Sequence, residues 1–258
     1  MMMKTDGNTV TNAAVPPLVL LHGWGMHGGV WQGLAARLQQ ERQVLMPDMP
    51  GYAAQPQLDT CTLESLAEHM LADWPAQVDL CAWSLGGLVA LTMARIAPQR
   101  IRRLVLVGST PCFVDRPDWN CGMPAAVFAG FADALQQEYE PTLRRFIALQ
   151  AQGDAAAREA LTVLRAQLFA RGRPGVATLR CGLDLLLRSD VRASVPQVMA
   201  PTLVVQGSHD RLVPPCAAHW LAARLEHGYL LEMRAAGHAP FLSHVDEFAR
   251  YLQEFLSE

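Results

Sequence analysis

The chain contains 258 residues, of which 51% are hydrophobic and 17% charged, and its net charge is −3 at pH 7. This length allows one large core, and the small negative charge gives no reason to expect nucleic-acid binding. No apolar run reaches the ~18 residues of a membrane span, and the N-terminus lacks the apolar segment of a secretory signal. We therefore expect a cytoplasmic, monomeric protein with neither nucleic acid nor a membrane as partner.

The cysteines show no C-x-x-C spacing, and several lie in apolar contexts. They are Cys61, Cys81, Cys112, Cys121, Cys181 and Cys216. This pattern favours reduced cysteines in a cytoplasmic protein. Histidine, cysteine and carboxylate residues do not occur at the spacings of a metal site, so we expect neither a metal nor another cofactor.

The first part of the chain predicts alternating strands and helices. Residues 1–14 are polar, and we expect them to be a poorly ordered lead-in. The predicted elements that follow are a strand at 17–21, a helix at 28–40, a strand at 43–46, a helix from Thr62, a strand at 78–82, a helix at 88–95 and a strand at 101–108. Glu64 stands one position too early for a capping box with Thr62, so we predict that helix without the box.

The pattern changes between residues 112 and 192, where the sequence predicts helices and loops. The helices are expected at 124–139, 142–150, 155–170 and 175–187, followed by a strand at 201–207, a helix at 217–225, a strand at 229–233 and a helix at 245–256. This order predicts a mostly parallel, doubly wound α/β sheet. Residues 1–111 and 193–258 would form the core, and residues 112–192, here called the helical insertion, would form a lid.

Ser84 lies between the strand at 78–82 and the helix at 88–95, in the sequence Trp83-Ser84-Leu85-Gly86-Gly87. A serine at a sharp strand-to-helix turn exposes its hydroxyl beside N–H groups at the helix N-terminus, which suits a nucleophile. The pattern is close to G-x-S-x-G, with Ala82 at the position of the first glycine. An ordinary capping serine is the alternative interpretation of this turn.

Partners for Ser84 are expected after later strands, because ligands of such sheets bind beyond the strand C-termini. Asp210 follows the strand at 201–207, and His238 follows the strand at 229–233. The chain order Ser…Asp…His is that of the α/β-hydrolases. His238 would be the general base and Asp210 would orient it. The N–H groups of Leu85 and Trp24 would form the oxyanion hole, with His22 supporting the turn that carries Trp24.

With these residues placed, the chain resembles the α/β-hydrolases over nearly its whole length, and more narrowly the pimeloyl-[acyl-carrier protein] methyl ester esterases of biotin synthesis. The stretches that carry this resemblance are LVLLHGWG at 18–25, WSLGGLVA at 83–90, STPCF at 109–113 with Trp119 beyond, RFIALQ at 145–150 and HAPFLSH at 238–244. The chain departs from the family pattern at Ala82 and at residues 52–54, where a G-x-S continuation after Gly51 is missing.

The resemblance implies an α/β-hydrolase fold and a cytoplasmic serine carboxylesterase that removes the methyl group from pimeloyl-carrier-protein methyl ester. It also implies substrate contacts at Trp24, Ser84, Leu85, Phe146, Ile147, Ala148, Leu149, Gln150 and His238. Arginines of the insertion would hold the acidic carrier protein, and Arg145 and Arg158 match such positions. Pro141 and Thr162 stand where two further arginines are expected, and Arg144 and Arg165 are nearby replacements.

Two alternatives remain open from the residues. The same scaffold supports a broad-specificity short-chain esterase, a C–C bond hydrolase or a perhydrolase, whereas Ser84 excludes a nucleophilic aspartate. A ligand-binding receptor without catalytic activity is the alternative from another class. Arginine supplies 20 of the 21 basic residues, so an arginine-rich solvated face competes with carrier docking as the interpretation of the insertion.

Overall fold

The computed structural model describes residues 15–150 and 156–258, and its centre is one sheet of six parallel strands. The strand order across the sheet is β2-β1-β3-β4-β5-β6. The strands are β1 Leu18–Leu21, β2 Val44–Leu45, β3 Val78–Trp83, β4 Ile101–Val107, β5 Thr202–Gly207 and β6 Gly228–Met233. The predicted parallel α/β sheet is confirmed. The predicted lead-in at 1–14 and Ala155, the predicted start of one helix, lie outside the described residues.

Helices follow the strands and cover the sheet. They are α1 Gln32–Leu38, α2 Leu63–Ala72, α3 Leu85–Ile96, α4 Ala125–Gln137, α5 Tyr139–Gln150, α6 Ala157–Gln167, α7 Val176–Arg188, α8 Pro215–Arg224, α9 Pro240–Ser243 and α10 Val245–Ser257. α1 packs against α10 and α2 packs against α3. Among the described helices, none is both long and apolar enough to cross a membrane.

The interior strands β1, β3 and β5 are buried along their whole length, as parallel strands covered on both faces should be. Their sequences are correspondingly apolar, with one charged exception at the start of β3. Asp79 is fully buried, and its carboxylate is paired with the guanidinium groups of Arg42 and Arg102. These two arginines neutralise a charge that would otherwise be costly to bury.

Helices α4 to α7 occupy the long connection between β4 and β5, where the sequence predicts the helical insertion. α4 packs against α5 and α7, α5 packs against α6, and α6 contacts α9 of the core. The division at residues 112 and 192 stays a prediction, because the insertion is joined to the core by many contacts.

The start of α2 differs from the sequence prediction. Thr62 accepts a hydrogen bond from the main-chain N–H of Ser65, and the Ser65 hydroxyl accepts one from the N–H of Thr62. A capping box is therefore present, and the expectation that it would be missing is wrong. The serine hydroxyl takes the acceptor role that the sequence analysis sought only at Glu64.

The prediction that all six cysteines are reduced is wrong for four of them. Cys61 forms a disulfide with Cys181 and Cys121 forms one with Cys216, at Cα–Cα distances of 6.0 and 5.7 Å. The partners are 120 and 95 residues apart, so a search for short cysteine spacings could not pair them. Each disulfide joins the helical insertion to the core. Disulfides persist mainly in oxidising compartments, so the cytoplasmic location loses the support of the cysteine pattern and stays a prediction.

The disulfides predict a defined thiol count. Alkylation of the denatured protein without reductant should label only Cys81 and Cys112, the two free cysteines, as counted by intact mass spectrometry. Prior reduction should expose all six and lower the melting temperature by several degrees, since loops of about 100 residues lose substantial unfolded-state entropy when closed. The control Cys61→Ser should add one label, at Cys181. Six labels without reductant would contradict the pairing.

Candidate active site

Ser84 occupies a sharp turn between the end of β3 and the start of α3, with main-chain angles φ 58° and ψ −120°. A non-glycine residue with positive φ is strained by about 1–3 kcal/mol and persists only where its surroundings enforce it. Here Gly86 permits the approach of α3 to β1, since a Cβ on Gly86 would lie 2.6 Å from the main-chain oxygen of His22. The turn therefore places the Ser84 side chain at the C-terminal edge of the sheet, as predicted.

Ala82 takes part in the same turn without preventing it. The residue is fully buried in β3, where it pairs in register with Leu21 of β1 and Leu106 of β4. The strand thus accommodates a methyl group where the sequence pattern usually has glycine. The departure noted at this position leaves the strained turn at Ser84 intact.

The structure brings together the three residues that the sequence analysis grouped by chain order. The Nε2 atom of His238 lies 3.0 Å from the Ser84 hydroxyl oxygen, and its Nδ1 atom lies 2.8 Å from Oδ2 of Asp210. Ser84 is 5% exposed and His238 is 1% exposed. The three side chains follow β3, β5 and β6, so one edge of the sheet carries the whole arrangement.

Both oxygens of the Asp210 carboxylate form hydrogen bonds. Its Oδ1 accepts the main-chain N–H groups of Leu212 and Val213 at 2.8 and 3.0 Å. Its Oδ2, besides contacting His238, accepts an N–H from Gln206 at 3.2 Å. These donors fix the carboxylate toward His238 Nδ1. The sequence analysis missed Gln206, and the signal available was a single polar residue near the end of the apolar strand β5.

The main chain of His238 is held by two further groups. The indole N–H of Trp83 donates to the His238 carbonyl at 2.9 Å, and the His238 N–H donates to the carbonyl of Gln150 at 3.1 Å. The Trp83 ring also packs against the imidazole, with ring centroids 5.6 Å apart. Trp83 precedes Ser84 directly, so one residue links the loop of the base to the turn of the nucleophile. The sequence analysis used Trp83 only within the stretch that carries the family resemblance and gave its indole no role in the site.

The turn after β1 presents the predicted second oxyanion donor. The N–H of Gly25 donates to the hydroxyl of Tyr52 at 3.2 Å, which fixes the turn one residue beyond Trp24. Leu85 is the first residue of α3, where main-chain N–H groups have no acceptor within the helix. The geometry is consistent with the N–H groups of Trp24 and Leu85 as a pair of donors near Ser84. Tyr52 was missed because its loop shows no motif.

His22 forms hydrogen bonds that hold the same turn. Its Nδ1 donates to the carbonyl of Gly23 at 2.8 Å and its Nε2 accepts the N–H of Met49 at 2.9 Å, an arrangement that requires the neutral ring. Burial lowers the pKa of His22 to about 4. Protonation below that pKa would place a hydrogen on Nε2 and break the bond to Met49. The role predicted for His22 thus has a geometric basis.

The five consecutive residues 146–150 that the resemblance assigns to substrate differ in their placement. Phe146, Ile147 and Gln150 are buried, Leu149 is half-buried, and Ala148 is exposed. The ring of Phe146 meets the Trp24 indole edge-on, at 4.6 Å between centroids. The side-chain oxygen of Gln150 is buried and has no hydrogen-bond partner among the described residues. One face of α5 therefore borders the site, while Ala148 lies outside it.

The four arginines predicted to dock a carrier protein all lie on the surface of the insertion, but their surroundings differ. Arg144 pairs with Glu140 at 2.6 Å and Arg145 pairs with Glu138 at 3.1 Å, both as exposed ion pairs. Arg158 and Arg165 are exposed on α6, and neither has an acidic partner within the part of the chain that the structure describes. Asp154, an acidic residue of the insertion, lies outside the described residues.

The site contains no arrangement suited to a metal ion. Within residues 15–150 and 156–258, no three histidine, cysteine or acidic side chains converge as ligands. The contacts at Ser84 are those of a hydroxyl beside a histidine that a carboxylate orients.

Comparison with known proteins places this geometry in a family. The family described as "alpha/beta hydrolase fold" matches residues 16–245. Solved structures of the same shape include an esterase from Exiguobacterium antarcticum (TM-score 0.83, 19% identity, 95% of this chain and 93% of that one) and an enol-lactonase from Burkholderia xenovorans (TM-score 0.82, 22% identity, 96% and 94%). The chain belongs to the α/β-hydrolase family.

Proteins that are similar to this chain in sequence have a more specific name. The chain is 40% identical over 246 residues to the pimeloyl-[acyl-carrier protein] methyl ester esterase of Nitrosomonas europaea, covering 95% of each chain. It is 41% identical to the enzyme of that name from Aromatoleum aromaticum, covering 93% of this chain and 97% of the other. It is 42% identical to the enzyme of that name from Xanthomonas axonopodis pv. citri, covering 94% of this chain and 95% of the other. These matches confirm the resemblance found in the sequence.

The hydrogen bond from Trp83 predicts a defined effect on turnover. Trp83→Phe keeps a ring against His238 but leaves the His238 carbonyl buried without its indole donor, so kcat on a small methyl ester should fall about tenfold. Trp31→Phe is the matched control, because Trp31 is equally buried, stacks on Phe241 at 3.9 Å, and has no described partner for its N–H. Equal effects of the two substitutions on kcat would show that the hydrogen bond is unimportant.

Proposed function

We propose that this chain is a serine carboxylesterase that hydrolyses the methyl ester of pimeloyl-[acyl-carrier protein], a step of biotin synthesis, in the cytoplasm and as a monomer. The observation that carries the reaction type is the continuous hydrogen-bond chain from Ser84 through His238 to Asp210. The observation that carries the substrate is the shared name of relatives that are 40–42% identical over nearly the whole chain.

The reaction begins with transfer of the Ser84 hydroxyl proton to Nε2 of His238 as the oxygen attacks the ester carbonyl carbon. Asp210 holds the imidazole so that Nε2 faces the serine, and it stabilises the imidazolium that forms. The negative charge moves to the carbonyl oxygen, where the N–H groups of Trp24 and Leu85 stabilise it. The tetrahedral intermediate then collapses, and methoxide leaves as methanol with the proton from His238.

Deacylation repeats these steps with water as the nucleophile. The pimeloyl group is now bound to Ser84 through its ω-carboxyl carbon, while its other end remains attached to the carrier protein. His238 removes a proton from the water, which attacks the acyl carbon. As the second tetrahedral intermediate collapses, the bond to Ser84 Oγ breaks and His238 returns the proton to that oxygen. The products are a free carboxylate at the acyl end and the unchanged enzyme.

The surroundings of Ser84 fit a narrow acyl substrate. The serine is almost completely buried, so only an extended chain reaches it while a bulky carrier stays outside. Phe146 on α5 supplies apolar surface next to Trp24, and Ile147 beside it in the chain is also buried. The main chain of Gln150 bonds the His238 N–H, and its buried side-chain oxygen has no partner among the residues that the structure describes. A buried polar group of this kind favours a substrate that offers it a hydrogen bond.

Carrier docking is assigned to the arginines of the insertion. Arg158 and Arg165 are seven residues apart on α6 and therefore share one face of that helix. Exposed ion pairs such as Arg144–Glu140 and Arg145–Glu138 contribute little stability and can exchange partners when an acidic protein approaches. Positive charge on this surface of the insertion would raise the rate at which the enzyme associates with an acidic carrier protein.

Mass spectrometry of pimeloyl-carrier-protein methyl ester tests the function directly. Incubation with the enzyme should remove the mass of one methylene group, and Ser84→Ala should abolish this loss without changing the fold. If the enzyme hydrolyses a simple ester but does not demethylate the carrier substrate, the result would indicate a broad-specificity short-chain esterase. Peracid formation or C–C cleavage would indicate the other hydrolases, and no turnover of any ester would favour a receptor.

A second experiment separates docking from chemistry. Arg158→Glu combined with Arg165→Glu should lower kcat/KM at least tenfold on the carrier-linked substrate at low salt, and less at high salt because ions screen the attraction. The same variant should hydrolyse a small free methyl ester normally. Arg250→Glu, an exposed reversal on core helix α10, is the charge control. Equal losses on both substrates would mean that these arginines support the insertion and do not dock the carrier.

A further inference from the structure

Insertion helix α7 touches both residues of the proposed oxyanion hole. The indole N–H of Trp24 donates to the main-chain carbonyl of Leu179 at 2.8 Å, and this bond is buried. One turn further along α7 lies Gly182, which is also buried. Residues 179 and 182 are three apart, so they lie on the same face of the helix. That face of α7 therefore rests on the turn after β1.

Gly182 is the residue at which α7 comes very close to Trp24 and Leu85. A Cβ on this residue would lie 2.4 Å from Cδ1 of Trp24, 3.0 Å from its Nε1, and 3.2 Å from Cδ2 of Leu85. Real Cβ atoms do not approach other atoms to 2.4 Å, so any side chain here would push the indole away. Glycine is unfavourable inside a helix, and its presence in the second turn of α7 is explained by this contact.

The position of α7 is fixed on its other side as well. Cys181, the residue before Gly182, forms the disulfide with Cys61 in the segment that leads into α2. Near the start of α7, the side chain of Thr178 packs on Gly51 in the loop after β2, and a Cβ on Gly51 would lie 2.3 Å from its Oγ1. The helix is thus held against the core through three of its residues, Thr178, Leu179 and Cys181.

From these contacts we propose that α7 positions the oxyanion hole, with Gly182 and the Leu179 carbonyl as its positioning groups. They hold the Trp24 indole against Leu85, and the indole in turn fixes the main-chain N–H of Trp24 at the distance the oxyanion requires. Misplacement of such a donor weakens the transition state far more than it weakens substrate binding. This inference rests on the proposed serine-hydrolase function.

The test compares two helical glycines of the insertion. Gly182→Ala should displace the indole and lower kcat on a small methyl ester at least tenfold, approaching the roughly 10²–10³-fold cost of losing one oxyanion donor, with KM nearly unchanged. Gly130→Ala on α4 is the control, since a Cβ there meets no atom within 4 Å. Gly130→Ala should leave kcat and KM as they are. Melting temperatures of both variants report any loss of folding.

A transition-state analogue distinguishes positioning from general packing. A trifluoromethyl ketone forms a tetrahedral oxyanion on a serine nucleophile, so its inhibition constant should rise by the same factor as kcat falls in Gly182→Ala. A purely structural role predicts a lower melting temperature with an unchanged inhibition constant for the folded fraction. That result, or a kcat equal to that of Gly130→Ala, would overturn the proposal.

A second variant, Trp24→Phe, keeps the test decisive if Gly182→Ala folds poorly, and a double-mutant cycle applies where both variants fold. Trp24→Phe removes the N–H that binds Leu179 and the indole atoms nearest Gly182, and by itself it should lower kcat with little change in KM. Combined with Gly182→Ala, it should cost no more than the worse single variant, because both act through the same indole. Losses that multiply, or a Trp24→Phe kcat equal to wild type, would contradict the proposal. Failure of the wild-type enzyme on every ester would instead refute the proposed function.

Discussion

The geometry of the site depends on the turn at Ser84, whose φ of 58° joins the central strand β3 to α3. Such a conformation is unfavourable for serine and is maintained by the packing around it, including the close approach that Gly86 allows. The turn does two things at once, because it directs the hydroxyl toward His238 and places the Leu85 N–H at the start of a helix. If the turn relaxed, the Ser84 hydroxyl and the proposed oxyanion donor at Leu85 would both be displaced.

The fold and the three central residues could be predicted because their signals are local. Buried parallel strands are continuous apolar runs, and the ends of those runs were correctly located before Ser84, Asp210 and His238. All strands of a parallel sheet end at the same edge, so residues that follow neighbouring strands are brought together without knowledge of side-chain packing. The strands that precede Asp210 and His238, β5 and β6, are neighbours in the sheet, so the loops that carry the two residues lie side by side.

The remaining features depend on contacts between distant segments, which a single sequence does not encode in any short pattern. The Trp24 bond to Leu179 spans 155 residues and the Cys61–Cys181 disulfide spans 120. Gly182 carries no special signal in a helix until the indole beneath it is known. We propose that these contacts make the helical insertion part of the catalytic geometry, which the simple division into core and lid did not anticipate.

Reaction with a fluorophosphonate, followed by peptide mapping in a mass spectrometer, tests most directly that Ser84 is the activated nucleophile of this chain. The reagent modifies only a serine that a neighbouring base activates and an oxyanion hole assists. The account predicts one adduct, on Ser84, which forms at least about 10²-fold more slowly in His238→Ala. An adduct on a different residue, or ester hydrolysis that continues after complete labelling of Ser84, would contradict it.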